Sequence, residues 1–433
     1  MSPHPIHKTT PARHRDIALL FATRTLRLFG YGLVSVVLVL YLKQLKFSDL
    51  ETGLLLTLTL VGDTIISLWI TTRADRLGRK HMLIVGGALM LVAGITFILT
   101  ENFFALLFAA TIGVISPSGN EVGPFLSIEQ AALSHLVHSD RRTAVFAWYN
   151  LAGSLATATG ALVAGFAVKF LQSHGTDLTH AYQIVLLGYA GVGAILTLLF
   201  CFVSPMVEIH DIRKKTLTGM FMGLHRSKRI VLKLSALFSL DAFAGGFVIT
   251  SLIAYWFRIR WGTPIETIGM VIFGSNILAG ISALSAAAIA KRVGLLNTMV
   301  FTHIPSNVLL ILVPIMPTEA LAIAVLLARF SISQMDVPTR QAYTMAVVDP
   351  DERSAAAGVT GAFRTMGSSI SPFIGNLTLG ISASSPLLGL IFFMSGGLKI
   401  VYDLLIWKNF RETMPREESR GFPVTPAPKS DKP

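Results

Sequence analysis

QAALSHLVHSDRRTAVFAW, residues 130–148, returns as QAYTMAVVDPDERSAAAGV at residues 341–359. At this offset of 211 residues Asp140 corresponds to Asp351, Arg142 to Arg353 and Ala144 to Ala355. A second match, ADRLG from Ala74 and AKRVG from Ala290, lies at an offset of 216. Self-similarity of this kind decides architecture before single residues do, and it reads here as two duplicated halves. Outward from the matching stretches the chain is a succession of apolar runs. A spanning helix needs about 20 mostly apolar residues. Twelve runs reach that length: 17–42, 50–70, 81–99, 103–136, 143–171, 181–204, 231–257, 267–288, 295–315, 318–347, 355–379 and 386–406. Six precede a polar centre and six follow it, so both termini lie on one side.

Composition agrees with that pattern. The 433 residues are 52% hydrophobic and 14% charged, with a mean hydropathy of +0.64. Soluble domains carry about 25% charged residues, so this chain has too few to cover a water-facing surface, and its solvent is lipid. A soluble enzyme and a disordered chain are thereby excluded, and the single cysteine, Cys201, excludes a disulfide scaffold. The net charge of +12 does not point to nucleic acid, because the basic residues sit in short segments between the apolar runs. Most of the 36 Lys and Arg fall on the side shared by the termini and the centre, which places that side in the cytoplasm. The expected organisation is a cytoplasmic tail (1–16), a six-helix bundle (17–204), a cytoplasmic central loop (205–232), a second bundle (233–406) and a disordered proline-rich tail (407–433). Within the loop, 216–224 is amphipathic and suits a surface helix or a solvated linker equally. The polar MSPHPIHKTTPARHRD start, followed by a run too long for a signal core, predicts no cleavable signal. A plasma or inner membrane is expected rather than an organelle, and nothing requires an oligomer.

Between the second and third runs lies RADRLGRKHM, with Asp75, Arg76, Gly78, Arg79 and Lys80. Gly78 permits a tight turn, Asp75 can accept hydrogen bonds at a helix N-terminus, and the three cations hold the loop in the cytoplasm. The segment resembles the signature loop of the major facilitator superfamily, Gly-x-x-x-Asp-Arg-x-Gly-Arg-Lys. Thr71 replaces the leading glycine, and Lys291 replaces the acid in the second copy. The resemblance implies an all-α integral membrane fold of 12 transmembrane helices in two pseudo-symmetric six-helix bundles, working by alternating access. It further implies that the loop latches the halves in the outward-open state, mainly through its first copy.

Charges inside a span cost a few kcal/mol on insertion scales (about 3) and mark pathways or functional pairs. Arg24 and Arg27 lie in span 1, Asp63 in span 2, Glu121 and Glu129 in span 4, Asp241 in span 7, Arg329, Asp336 and Arg340 in span 10, and Arg364 in span 11. In the superfamily, spans 1, 4, 7 and 10 line the central cavity. Helical spacing puts Arg329, Asp336 and Arg340 on one face, with Asp336 and Arg340 placed for an i,i+4 pair. Similar depth allows Arg24 or Arg27 to reach Asp63, and groups Asp241 with Arg340 and Arg364. Glu129 and Arg340, equivalent in the repeat, are expected to pair across the pseudo-twofold axis. The cavity set is thus Arg24, Arg27, Glu121, Asp241, Arg329 and Arg364. Proton carriers are ranked Glu121, then Asp336, Asp63 and Asp241, because Glu121 sits where Pro117, Gly119, Gly123 and Pro124 break span 4. Neutralisation of neighbouring arginines remains the alternative for each acid.

SLATATGALVAGF in span 5 resembles the glycine-rich motif of drug-exporting facilitators but lacks its Gly-Pro pair, and small residues at such spacing more often serve close helix packing. No phosphate-binding loop or metal-ligand cluster is present, so neither cofactor nor metal is expected. His303 in span 9 reads as a hydrogen-bonded packing residue, while Lys399 and Asp403 in span 12 are expected at an interface. The expected function is a secondary transporter, not an enzyme, whose partners are the bilayer, a small organic solute and protons, with efflux by proton antiport favoured. Gradient-driven uniport, proton-symport uptake of a small anionic metabolite, and a non-transporting receptor on the same fold are the alternatives.

Overall fold

Each apolar run folds as helix in the computed structural model, which describes residues 11–120, 125–137, 142–205, 224, 226–349, 352–379 and 385–412. The first half contains α1 (Pro11–Gln44), α2 (Asp49–Leu77), α3 (Arg79–Leu99), α4 (Phe103–Ile112), α5 (Phe125–Leu136), α6 (Arg142–Ser173) and α7 (Leu178–Cys201). The second contains α8 (Lys228–Gly246), α9 (Thr250–Trp261), α10 (Ile265–Val293), α11 (Leu295–Leu312), α12 (Glu319–Ser333), α13 (Asp336–Val347), α14 (Arg353–Leu379) and α15 (Leu390–Phe410). Nine stretches among the described residues are long and apolar enough to cross a membrane. The other three predicted spans are built by α2, by α14 and by the pair α4 and α5. The expected surface helix at 216–224 and the tail beyond residue 412 lie outside the described residues, apart from Leu224.

Helix ends follow the local sequence. Ser48 and Glu51 form a capping box at α2, Asn102 caps α4, Asp177 caps α7 and Thr318 caps α12. The two repeat glycines do the same job: Gly78 joins α2 to α3 at φ 98°, and Gly294 joins α10 to α11 at φ 86°, a region open mainly to glycine. At the face bearing the termini, Lys80 Nζ donates to Cys201 O at 2.7 Å, and Asp16 accepts from both the backbone N–H and the hydroxyl of Ser204. In the second half the Glu352 carboxylate accepts from the backbone N–H of Arg226 and of Ser227, each at 2.8 Å, at the start of α8.

Spans 4 and 7 are broken, and the breaks meet. Residues 113–120 are non-helical after α4, as Pro117 and Gly119 predict, and 247–249 separate α8 from α9. Freed carbonyls inside a membrane must find donors. Tyr189 hydroxyl donates to Val114 O at 3.2 Å, Thr157 to Gly119 O at 3.3 Å, and Thr250 of α9 to Ser118 O at 2.8 Å. The Ser251 hydroxyl lies within hydrogen-bonding distance of Pro117 O (2.5 Å) and Ser35 O (2.9 Å), so the start of α9 is tied to both α1 and the span 4 break.

The halves also touch along α2 with α14 and along α6 with α10. These contacts gather at the face remote from the termini. Asn376 donates to Asp49 O at 2.5 Å, and Lys169 pairs with Glu266 at 3.0 Å. A Cβ on Gly165 would stand 2.7 Å from Ile265 O, and one on Gly269 would stand 2.8 Å from Ala161 O. The glycines of span 5 therefore serve close packing, with Gly160 set likewise against Phe29 O. Near the termini, α5 packs on α1, α2 and α3, and α13 on α8, α10, α11 and α14, each within its own half.

Valine at Gly165 or Gly269 has no room without parting α6 from α10. With Cys201 changed to serine and spin labels at exposed Gln172 and Ala320, each variant is expected to shift the label-to-label distance distribution toward longer values. An unchanged distribution would contradict the packing role.

Candidate functional site

The ionisable residues of the spans assemble into two clusters, one per half. In the first, Arg27 of α1 and Glu129 of α5 are fully buried and form a two-pronged pair, Nη1 to Oε1 at 2.8 Å and Nη2 to Oε2 at 2.7 Å. Such fork-on-fork geometry is the strong form of the interaction. The same carboxylate accepts from Thr23 at 3.2 Å and from the Tyr149 hydroxyl, while the Arg27 guanidinium lies 4.4 Å from the Phe125 ring centre. Arg24, three residues earlier, stacks 4.3 Å over Tyr149 and donates to Asn150 Oδ1 at 3.2 Å. Asp63 is half-buried on α2.

In the second cluster one carboxylate meets three cations from three helices. Asp241 of α8 is contacted by Lys399 of α15 at 2.6 Å, Arg364 of α14 at 3.0 Å and Arg340 of α13 at 3.2 Å. Arg340 also pairs with Asp336 at 2.6 Å, the i,i+4 contact expected from spacing. Arg364 keeps 31% of its side chain exposed, whereas the other members are buried.

Arg329 stands apart. It is buried on α12, its guanidinium 4.7 Å from the Phe330 ring centre, and among the described residues it has no hydrogen-bond or ion-pair partner. Ser333, one turn further along α12, and Ser275 on α10 bury hydroxyls that are likewise unpartnered.

Two expectations need correction. Glu129 and Arg340 do not pair across the axis, because Arg27 saturates the first and Asp336 with Asp241 engages the second. Lys399 and Asp403 are buried instead of interfacial. Lys399 serves Asp241, and Asp403 binds His303 Nδ1 at 2.8 Å and accepts from Asn307 Nδ2 at 3.0 Å. His303 is thus hydrogen-bonded as expected, to a partner the sequence reading did not assign. The available signal was the i,i+4 spacing of Lys399 and Asp403, the same as that of Asp336 and Arg340. Glu121 lies outside the described residues, as do the side chains of Asp75 and Arg76; Arg79 is buried and Lys80 half-buried beside Gly78.

The family model of the Major Facilitator Superfamily matches residues 20–372. An uncharacterized membrane protein of Saccharomyces cerevisiae is 31% identical over 422 residues, covering 90% of this chain and 93% of that one. The quinolone resistance protein NorA of Staphylococcus aureus (strain MRSA252) is 23% identical over 417 residues, covering 94% of this chain and 100% of NorA. Among solved structures, the nucleoside transporter NupG superposes with a TM-score of 0.69 at 13% identity, over 93% of this chain and 100% of that one. A D-xylose-proton symporter superposes with a TM-score of 0.70 at 14% identity, over 90% and 97% respectively.

Removing one partner of a buried pair strands a charge at a cost of about 3–5 kcal/mol, whereas removing both strands none. Arg27→Met and Glu129→Gln are each expected to lower thermal stability in detergent, and the double variant to recover much of the loss. A double variant as unstable as the two losses combined would refute the pairing.

Proposed function

The chain belongs to the major facilitator superfamily, and from that premise we propose a secondary transporter that exports a small organic solute bearing an anionic or strongly hydrogen-bond-accepting group, in exchange for protons. The family makes it a multi-pass membrane transporter and not an enzyme. Substrate class, direction and coupling are the proposal.

One observation carries the choice of substrate class: the Arg329 guanidinium is buried, its Nε has no hydrogen-bond partner, and no carboxylate among the described residues lies within ion-pair distance of it, Asp336 and Asp241 acting only from further off. A buried charge costs several kcal/mol unless something pairs with it. The other three cations of the second cluster share two carboxylates, so Arg329 is the one left for a group brought from outside the chain. Arg329 lies 10 residues into α12 from Glu319, about 15 Å along the helix, which suits a site near mid-membrane. The buried hydroxyls of Ser275 and Ser333 add donors to the same α10–α12 neighbourhood. Arg364 supplies a second, part-exposed cation, with Arg24, Arg27, Glu121 and Asp241 completing the proposed cavity set.

With the termini read as cytoplasmic, the contacts gathered at the remote face support an inward-facing state. The loop carrying Asp75, Arg76, Gly78, Arg79 and Lys80 is then the cytoplasmic latch of the opposite state. Of the proposed proton carriers, Asp241 and Asp336 already neutralise cations, and Glu121, beside the break of span 4 in the sequence, keeps its first rank. Likeness to a protein named for quinolone resistance supports export.

Norfloxacin, a fluorescent quinolone with a carboxylate, is a suitable first probe in proteoliposomes. An imposed pH gradient is expected to drive its flux, and Arg329→Ala to weaken it. Loss of a charged hydrogen bond is worth about 1.5–3 kcal/mol, roughly tenfold to a hundredfold in affinity. Flux indifferent to the gradient would remove the coupling, and flux indifferent to Arg329→Ala would remove the site.

A further inference from the structure

Behind the cation cluster lies a second polar assembly, between α11 and α15, that the substrate reading does not use. His303 and Asp403 are 3% and 0% exposed, and the Asp403 carboxylate is held on one oxygen by His303 Nδ1 and on the other by Asn307 Nδ2. Ser395, Lys399 and Asp403 recur every four residues along α15 and so share a face. Three buried polar atoms in the same helix pair, Ser306 Oγ, Asn307 Oδ1 and Ser395 Oγ, have no hydrogen-bond partner among the described residues. Polar atoms left open inside a membrane are costly and by default mark an ion or proton path.

We propose that His303 and Asp403 form the proton-binding site of the second half, linked to the substrate region through Lys399, Asp241 and Arg364. The proposal rests on the proton-coupled reading above. With Asp403 ionised, the neutral ring donates Nδ1–H to Oδ1 and leaves Nε2 to accept a proton, so the pair passes from one negative charge to none.

Charge balance distinguishes this pair from the other acids. Asp241 and Asp336 face Arg340, Arg364 and Lys399, so a proton on either acid would leave those cations less compensated. Asp403 adds the third negative charge, and the set of three cations and three acids is neutral while His303 is neutral. The Tyr402 ring packs against the pair, its centre 6.2 Å from that of the His303 ring. Lys399 stands one turn from Asp403 on the same face while touching Asp241. When the imidazolium satisfies Asp403, Lys399 is committed wholly to Asp241. Asp241 then holds Arg364, its most exposed partner, less tightly, and that guanidinium is released toward substrate.

The test needs no substrate. In the Cys201→Ser background with spin labels at Gln172 and Ala320, purified protein in nanodiscs is expected to change its distance distribution with a midpoint between about pH 5 and 8. His303→Gln and Asp403→Asn are each expected to abolish that response. Should His303→Gln fail to fold, Asp403→Asn, which keeps the side chain's shape, still decides. Histidine-labelled protein adds a direct readout: the resonance missing from His303→Gln should titrate over the same range, and Asp403→Asn should displace it. A wild-type distribution indifferent to pH would overturn proton coupling and this site together. A response that persists in both variants would overturn the site while leaving coupling intact.

Discussion

The second half depends on one carboxylate. Asp241 on α8 is the point where α13, α14 and α15 each deliver a cation, so four helices share a single electrostatic centre inside a low-dielectric bundle. Without it three cations, two of them buried, would be left with Asp336 alone. Glu129 plays the corresponding part in the first half, drawing together α1, α5 and α6 through Arg27, Thr23 and Tyr149. The two arrangements are the same interaction with its polarity reversed. In the first half span 1 gives the cation and span 4 the acid; in the second, span 7 gives the acid and span 10 the cation. Duplication has preserved an ion pair between corresponding spans while exchanging its signs.

That inversion explains what the sequence alone could and could not tell. The repeat, the twelve apolar runs and the break at Pro117 and Gly119 were legible because periodicity, run length and backbone chemistry are local properties. Ten of the charged positions inside the spans could be counted for the same reason. Of their partners, depth rightly grouped Asp241 with Arg340 and Arg364, but pairing otherwise depends on how far each helix is rotated and which neighbour it faces. Repeat equivalence suggested Glu129 with Arg340, and the two residues nonetheless turn toward partners in their own half. Asp336 with Arg340 was readable, being a contact within one helix. His303 with Asp403 was not, because 100 residues of sequence separate them.

Closure on the face remote from the termini is built from two unlike materials. Along α6 and α10, Gly165 and Gly269 let backbones approach directly, a contact dominated by dispersion. At the meeting of spans 4 and 7, hydroxyls of Thr250 and Ser251 supply donors to carbonyls that a broken helix has freed. Separating the halves there exposes unsatisfied backbone that must be rehydrated, whereas separating the glycine contacts exposes little that is polar. The seam therefore has one side that opens cheaply in dry surroundings and one that opens cheaply only where water can follow.

The Glu352 carboxylate, which accepts from the backbone at Arg226 and Ser227, has a consequence for the linker. It fastens the last residues before α8 to the start of α14, so the chain joining the two halves is anchored in the second half by two helices instead of one. At the matching position of the first repeat the residue is Arg141, which offers no acceptor. The connector is held at both ends, by Asp16 of α1 at Ser204 and by Glu352 at Arg226 and Ser227. Tension in it, whether from rocking of the halves or from a protein gripping the loop, is delivered to α8 and α14 as a unit, and α14 is itself one of the helices along which the halves slide.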